Sequence, residues 1–214
     1  MTRVVFALLL GATVAHAADQ TILGTEFVVK DSRLGVVTGK AKEKASSNTL
    51  VGDPTVDGAT LTVRANGATS TEQAFALPQG TNAKGKPFWT GSATSGFKYK
   101  DSKGENGAVA QAAIKKNKKG VFTIAFNASG LVGTAPGGPG PNAVDVVPPN
   151  PGDSGCVLLQ LTGGDSYSVR FGPGDGKVTN KGGPWWRFGT RLFKVSKPAD
   201  EGTCLTTTTS TIGP

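Results

Sequence analysis

The residues able to do acid–base chemistry are few, and the only histidine is His16. It lies in a segment with the pattern of a secretory leader: Arg3, an apolar run over 4–10, and a small-x-small cleavage signature at Ala15-His16-Ala17. Cleavage after Ala17 leaves a chain without imidazole, which is the commonest general base and metal ligand. We therefore expect no enzyme activity, no bound metal and no cofactor.

One short stretch does resemble a catalytic motif. Gly152-Asp153-Ser154-Gly155 resembles the sequence around the nucleophile of chymotrypsin-like serine proteases. A serine nucleophile needs a base to accept its proton, and the exported chain offers no imidazole and no Ser-x-x-Lys pairing around Ser154. We interpret the stretch as a tight turn, capped by Asp153, that leads Cys156 into a strand. We expect no catalytic residue here.

The carboxylates show no hydrolase or calcium pattern. Glycoside hydrolysis needs two carboxyl groups facing each other across a cleft, and nothing in the spacing of the glutamates brings two together. Several aspartates stand in glycine-rich turns but lack the dense spacing of a calcium loop, so we interpret them as ordinary turn residues. The residues concerned are Glu26, Glu43, Glu72, Glu105, Glu201, Asp53, Asp57, Asp165 and Asp175.

Tryptophans are the candidate ligand-binding residues. Trp185 and Trp186 follow Gly182-Gly183-Pro184 and precede Arg187, while Trp89 also stands outside a clear strand. An exposed indole face suits stacking on a sugar ring, and Arg187 could hydrogen bond beside it. The alternative is that one ring of the pair fills the end of a barrel or sandwich and the other covers an apolar edge. Adjacent strand residues point to opposite faces, so an extended pair has at most one core ring.

Two cysteines remain after cleavage, Cys156 and Cys204. In an oxidising compartment a pair of this kind predicts a disulfide, here a clip that holds the C-terminal strands together. Redox-active thiols use a closer spacing than this.

The chain is basic, with a formal charge of +8, or 8 − 1 = +7 once Arg3 is lost. The lysines are dispersed, and the pairs Lys40/Lys42 and Lys98/Lys100 have the two-residue spacing of a solvated strand face. The lysine run over 115–119 surrounds Asn117 and precedes Gly120, which marks a hairpin turn. It is either a solvated loop tip or a contact for an anionic surface polymer or phosphate backbone.

Helical periodicity is almost absent, and short alternating runs bounded by glycine predict strands. We expect an all-β fold, an antiparallel β-sandwich or open barrel with a long Pro/Gly-rich crossing loop over 130–152. The loop contains one extended piece at 143–147, and a short helix over 110–116 is an alternative to a strand there. The strands are expected near 21–30, 35–42, 59–65, 72–77, 97–100, 108–115, 121–127, 156–162, 166–171, 177–180 and 191–195.

The expected organisation is a signal peptide over 1–17, a single β domain over 18–204 and a disordered Thr-rich tail over 205–214. No later apolar run approaches the length that spans a bilayer. We expect export to the periplasm or the cell exterior.

Four segments together resemble a module that recurs in uncharacterised secreted proteins of environmental Gram-negative bacteria. They are Phe97-Lys-Tyr-Lys-Asp-Ser, Asp145-Val-Val-Pro-Pro-Asn-Pro-Gly, Gly164-Asp-Ser-Tyr-Ser-Val-Arg-Phe and Leu192-Phe-Lys-Val-Ser-Lys-Pro. The resemblance covers residues 20–204 and implies a secreted β module, sometimes followed by Thr-rich sequence. It implies no activity and no site residues.

We therefore expect a secreted, non-catalytic β module with a structural or adhesive role in the cell envelope or outside it. Its partner would be a cell-surface or extracellular polysaccharide or another envelope protein, with no specific nucleic acid and no membrane span. A carbohydrate-binding module that uses Trp89, Trp185 or Trp186 is one alternative, and a hydrolase without histidine is another.

Overall fold

A computed structural model describes residues 17–31, 35–130, 142–172, 176–184 and 191–196. Its strands dominate these ranges, and the expected all-β class is confirmed. The strands are β1 Asp19–Lys30, β2 Val36–Glu43, β3 Ala59–Gly67, β4 Thr71–Leu77, β5 Trp89–Ser92, β6 Gly96–Lys100, β7 Val109–Lys116, β8 Phe122–Ser129, β9 Gly152–Leu161, β10 Ser166–Phe171, β11 Lys177–Lys181 and β12 Leu192–Ser196, with a short helix α1 at Pro54–Asp57.

Each strand expected from the sequence overlaps an observed one, while β5 and α1 were not anticipated. The helical alternative over 110–116 is wrong, because this stretch is β7 and pairs with β6 and β8. The hairpin turn after β7 is confirmed: the Asn117 amide donates to the Val121 carbonyl at 3.0 Å, and Gly120 has φ +72°.

The sheet is mixed rather than purely antiparallel. Its order is β4-β3-β9-β10-β1-β2-β8-β7-β6-β5, with β12 pairing both β1 and β11. The first part of β1 pairs in parallel with β10, and its second part pairs antiparallel with β12. All other pairs are antiparallel, and the whole sheet curls strongly into a half-barrel.

Aromatic rings fill the interior of the curl. Phe27 of β1 stacks on Phe171 of β10 with ring centroids 5.2 Å apart, and meets Phe193 of β12 at 6.1 Å. These rings belong to one core cluster that draws residues from strands on both sides of the crossing loop. Burial of this apolar surface is the main favourable contribution to folding.

β4 and β5 are the first and last strands in the order of the sheet, and the indole of Trp89 connects them. Trp89 is 2% exposed, and its Nε1 donates to the Leu77 carbonyl oxygen at 3.0 Å. Its ring lies 5.3 Å from that of Tyr99. The expectation that Trp89 stands outside a strand is wrong, because it begins β5. A buried indole in this position has no free face for a sugar.

The expected long loop connects β8 to β9, and its part over 142–151 lies along β4. The amide of Asp145 donates to Thr71 Oγ1 at 3.0 Å, and that of Ala143 donates to Gln73 Oε1 at 2.6 Å. Val144, Val146 and Val147 are buried against the core, so the piece at 143–147 packs closely without being a strand. Residues 131–141 of the loop lie outside the described residues.

No helix within the described ranges combines the length and apolar character that crossing a membrane requires.

Replacing Trp89 by alanine should lower the free energy of unfolding by about 3–5 kcal/mol, because it empties a core site and leaves the Leu77 carbonyl unpaired. Urea denaturation followed by circular dichroism measures this. Val56→Ala, at a side chain 63% exposed, is the control and should stay within about 0.5 kcal/mol of the parent. Equal stability of Trp89→Ala and the parent would show that the contact between Trp89 of β5 and Leu77 of β4 does not stabilise the fold.

Candidate functional site

Four adjacent strands, β2, β8, β7 and β6, present a lysine-rich surface on the side away from the core. Side chains alternate across a strand, so every second residue of these strands points outward. The burial pattern confirms this alternation. We call the surface the lysine face; its members are Thr38, Lys40, Lys42, Lys98, Lys100, Gln111, Ala113, Lys115, Thr123, Ala125 and Asn127.

The register of the four strands sets lysines on the two sides of a trough. Lys40 pairs with Ala125, Ala125 with Ala113, and Ala113 with Lys98. Three steps between neighbouring strands put the backbones of Lys40 and Lys98 about 14 Å apart. Since alanine projects only a methyl group, the row is low in the middle and carries an ammonium group at each end.

The neighbouring rows continue the same arrangement. On one side, Asn127 pairs with both Thr38 and Gln111, and Gln111 pairs with Lys100. On the other side, Thr123 pairs with both Lys42 and Lys115. The trough therefore runs along β7 and β8, with amide groups towards one end and lysines on both rims.

A groove of about 280 Å³ occupies the centre of this surface. Its walls are Lys40 and Lys98, its floor is Ala113 and Ala125 with the adjoining backbone, and Thr38, Gln111 and Asn127 line one end. It is partly open to solvent on the sheet surface, which suits a chain lying across it better than a fully enclosed small molecule.

One carboxylate borders the lysine face. Glu26 of β1 binds Lys194 Nζ at 2.6 Å and Lys40 Nζ at 3.2 Å. The hydrogen bond from Lys194 holds the pKa of Glu26 below its usual value; burial opposes this, and Lys40 adds to the lowering. The ion pairs in the described part of the chain leave four lysines of the face without a carboxylate: Lys42, Lys98, Lys100 and Lys115.

The protease-like stretch lies within β9, so its interpretation as a tight turn is wrong. Ser154 is 7% exposed; its Oγ donates to Asp153 Oδ1 at 2.7 Å and accepts from Asn66 Nδ2 at 3.0 Å. The two glycines make room for rings: a Cβ on Gly152 would lie 2.5 Å from the Phe193 ring, and one on Gly155 would lie 2.6 Å from the Phe27 ring. The glycines of this motif therefore serve packing.

Three of the four expected ligand-binding residues, Trp185, Trp186 and Arg187, lie outside the described residues. The fourth, Trp89, is in the core, which argues against its expected use as an exposed stacking platform. Cys156 is buried in β9, while Cys204 lies outside the described residues, so the disulfide stays a prediction.

The turn aspartates have different structural roles. Asp53 caps α1 by accepting from the Thr55 amide at 2.9 Å, and Asp165 is fully buried. Asp57 is exposed at the end of α1, and Asp175 lies outside the described residues. Among the residues that the structure describes, no cluster of three or more histidine, cysteine, aspartate or glutamate side chains could hold a metal ion.

The sequence revealed the lysine pairs of β2 and β6 but not that they face each other. The distance between Lys40 and Lys98 depends on the pairing of β2 with β8 and of β6 with β7, and this pairing cannot be predicted from the local sequence of each strand. The alanines at 113 and 125 were no signal by themselves, because alanine is common in strands with one solvated face.

Since the pKa of Glu26 is lowered in the folded chain, this carboxylate stabilises the fold above its unfolded pKa of 4.5, and the contribution is lost as the pH falls through its folded pKa. Glu26→Gln should therefore cost about 0.5–1 kcal/mol at pH 7 and almost nothing near pH 3. Urea denaturation at both pH values measures this. Glu72→Gln is the control, since Glu72 is more exposed and lies 3.9 Å from Arg64. Equal pH dependence in both variants would contradict the assignment.

Comparison with protein-family models, with curated proteins and with solved structures finds no match to this chain. The function is therefore argued from the lysine face itself.

Proposed function

We propose that this chain is an exported, non-catalytic β module that adheres to an acidic polysaccharide through the lysine face. The observation that carries the proposal is the strand register that places Lys40 and Lys98 on opposite sides of a trough with an alanine floor. The leader pattern expected from the sequence and this surface together support an adhesive role in the cell envelope or outside it.

Charge favours an anionic partner. The outward positions of β2, β6, β7 and β8 carry five lysines and no acidic residue, and Glu26 neutralises only the border with β1. Several ammonium groups in a row bind an anionic polymer more tightly than they bind a single small anion. The reason is that the charges of the polymer, when their spacing matches that of the lysines, contact several ammonium groups at once. Neighbouring lysines on one strand stand about 7 Å apart, which suits charges repeated along an extended chain.

The neutral groups of the trough favour a sugar polymer over a nucleic acid. The side-chain amides of Gln111 and Asn127 both donate and accept, as sugar hydroxyls do. Proteins that bind single-stranded nucleic acid use aromatic side chains for base stacking, and the outward positions of these four strands carry none.

Binding to polygalacturonate, a polymer of uronic acid, tests the proposal by isothermal titration calorimetry and co-sedimentation. The parent chain should bind, binding should weaken as salt is raised from about 50 to 300 mM, and neutral dextran should not bind. The double variant Lys98→Gln/Lys100→Gln should lose at least about tenfold in affinity, since it removes one rim of the trough.

The matched control is Lys84→Gln/Lys86→Gln, which removes the same number of charges at exposed positions in the loop between β4 and β5. It should bind within about twofold of the parent. Equal losses in both double variants would mean that only net charge matters, and the lysine face would be rejected as the site.

Two further substitutions separate shape from charge. Ala125→Leu fills the floor of the trough without altering charge and should weaken binding about fivefold or more, while its exposed position spares the core. Glu26→Gln releases Lys40 and Lys194 from their shared carboxylate and should strengthen binding about two- to threefold. If Trp185→Ala or Trp186→Ala abolishes binding and these variants do not, binding by stacking replaces the present proposal.

A further inference from the structure

A fully buried carboxylate lies beside the expected cleavage point. Asp165 is 0% exposed and stands between β9 and β10. Its Oδ1 accepts from the backbone nitrogen of Ala18 at 3.0 Å. Its Oδ2 accepts from Thr49 Oγ1 and from the Val51 amide, both at 2.8 Å, and from the Tyr167 hydroxyl at 3.2 Å.

Backbone contacts fix this carboxylate in place. The Asp165 amide donates to the Val51 carbonyl at 2.9 Å, and its carbonyl accepts from the Leu161 amide at 3.0 Å. The segment before α1 packs directly on the turn, since a Cβ on Gly164 would overlap the Val51 carbonyl oxygen. The side chain therefore cannot turn outward to water without moving both segments.

The side-chain and backbone donors around Asp165 are neutral in the unprocessed chain. None of the ion pairs in the described ranges includes Asp165. Burial of a carboxylate is costly unless it is hydrogen bonded and paired with a cation. The same carboxylate helps to raise the pKa of the Tyr167 hydroxyl, although burial of the phenol is the larger cause.

We propose that removal of the leader after Ala17 supplies the missing cation, because the new α-ammonium group of Ala18, an exposed residue, forms a partly buried ion pair with the buried Asp165 carboxylate. This ion pair secures the start of β1 only in the processed chain. The inference rests on the export that forms part of the proposed function, and is independent of the lysine face.

The chemistry of the step is a hydrolysis. Water cleaves the Ala17–Ala18 peptide bond; its oxygen completes a carboxylate on Ala17, and the nitrogen of Ala18 leaves as an amine that takes up a proton near neutral pH. This nitrogen already donates to Asp165 Oδ1, and the Ala18 carbonyl already accepts from the Ser166 amide at 2.9 Å. Cleavage therefore adds a charge to an existing hydrogen bond without rearranging the strand.

The ion pair has a defined pH dependence. The ammonium form binds Asp165 and the neutral amine does not, so folding should raise the pKa of the α-amino group above its ordinary value of about 7.7–8.0. The added stability is then present below that unfolded pKa and is lost as the pH rises through the folded pKa.

Several titratable groups of the described residues border this position. The Tyr167 phenol contacts Asp165, and Asp19 follows Ala18 in the chain. Lys116 Nζ donates to the Asn48 carbonyl at 2.7 Å, and Asn48 Nδ2 donates to Glu43 Oε2 at 3.3 Å, so both charges bear on the 48–51 segment.

The test compares the exported protein with a chain expressed in the cytoplasm that begins Met-Ala17 and keeps Ala18 in an amide bond. Both chains are unfolded in the presence of a reductant, so that the expected disulfide of Cys156 and Cys204 contributes to neither. Mass spectrometry first establishes the N-terminus of the exported protein, which should be Ala18. Its unfolding equilibrium constant at pH 7 should then be at least about tenfold smaller than that of the extended chain, and the difference should disappear by about pH 10.

Asp165→Asn should abolish this difference between the two chains, whereas Asp57→Asn, at an exposed position, should leave it unchanged. Should Asp165→Asn fail to fold, an NMR titration of the Ala18 α-amino group in the unsubstituted exported protein decides the matter. A pKa above about 8.5 supports the ion pair, and an ordinary value overturns it.

The outcomes separate the two proposals. Export with Ala18 at the N-terminus but equal stability of both chains overturns the ion pair and leaves the export proposal standing. A retained leader overturns both, whereas cleavage at another position overturns the ion pair alone. Polygalacturonate binding tests the lysine face whatever the N-terminus proves to be.

Discussion

The double pairing of β1 is the constraint on which the rest of the structure depends. Its first part runs parallel to β10 and its second part antiparallel to β12, while β2 pairs along its other edge. One strand thus belongs to both halves of the curl, with an irregularity between Gly24 and Glu26. A parallel pair needs a long connection between its strands, and here almost the whole domain lies between β1 and β10. The fold therefore forms from contacts that are distant in sequence, and β1 is common to both halves.

The lysine face follows from this arrangement, because β2 continues from β1 into a regular antiparallel run of β8, β7 and β6. Antiparallel pairs with a covered inner face leave the outer face to water, and its residues are free to vary in charge. The same outer face that carries Lys40 also carries Glu26 one strand away, so the positive region has a defined border. The buried Asp165 lies in the turn before β10, the strand that pairs with the first part of β1.

Alternation of apolar and polar residues predicted most strands, since this signal is local and a solvated sheet face makes it strong. It missed β5, a strand of 4 residues in which Trp89, two positions after Pro87, is followed by threonine, glycine and serine. The parallel pairing of β1 with β10 was beyond prediction because it depends on residues about 150 apart in the sequence. The trough between Lys40 and Lys98 also depends on pairing between strands that are distant in the sequence, so the sequence alone did not predict it. The glycines of the protease-like stretch were explained by a turn, whereas their neighbours in β9 are aromatic rings across the core.

Close contacts between phenylalanine rings and glycines recur in the interior, and they bear on whether the concave side of the sheet can enclose a ligand. At four glycines of the described ranges an added Cβ would overlap a phenylalanine ring: Gly24, Gly39, Gly152 and Gly155. Because glycine has no side chain, a phenylalanine ring packs directly on its backbone, and the strands on facing parts of the curl lie close together. The concave side is then filled by side chains. Lipocalin-like barrels keep their opposite walls apart and hold a small ligand between them. A half-barrel packed in this way leaves recognition to its convex side, where a partner can be long and need never be enclosed.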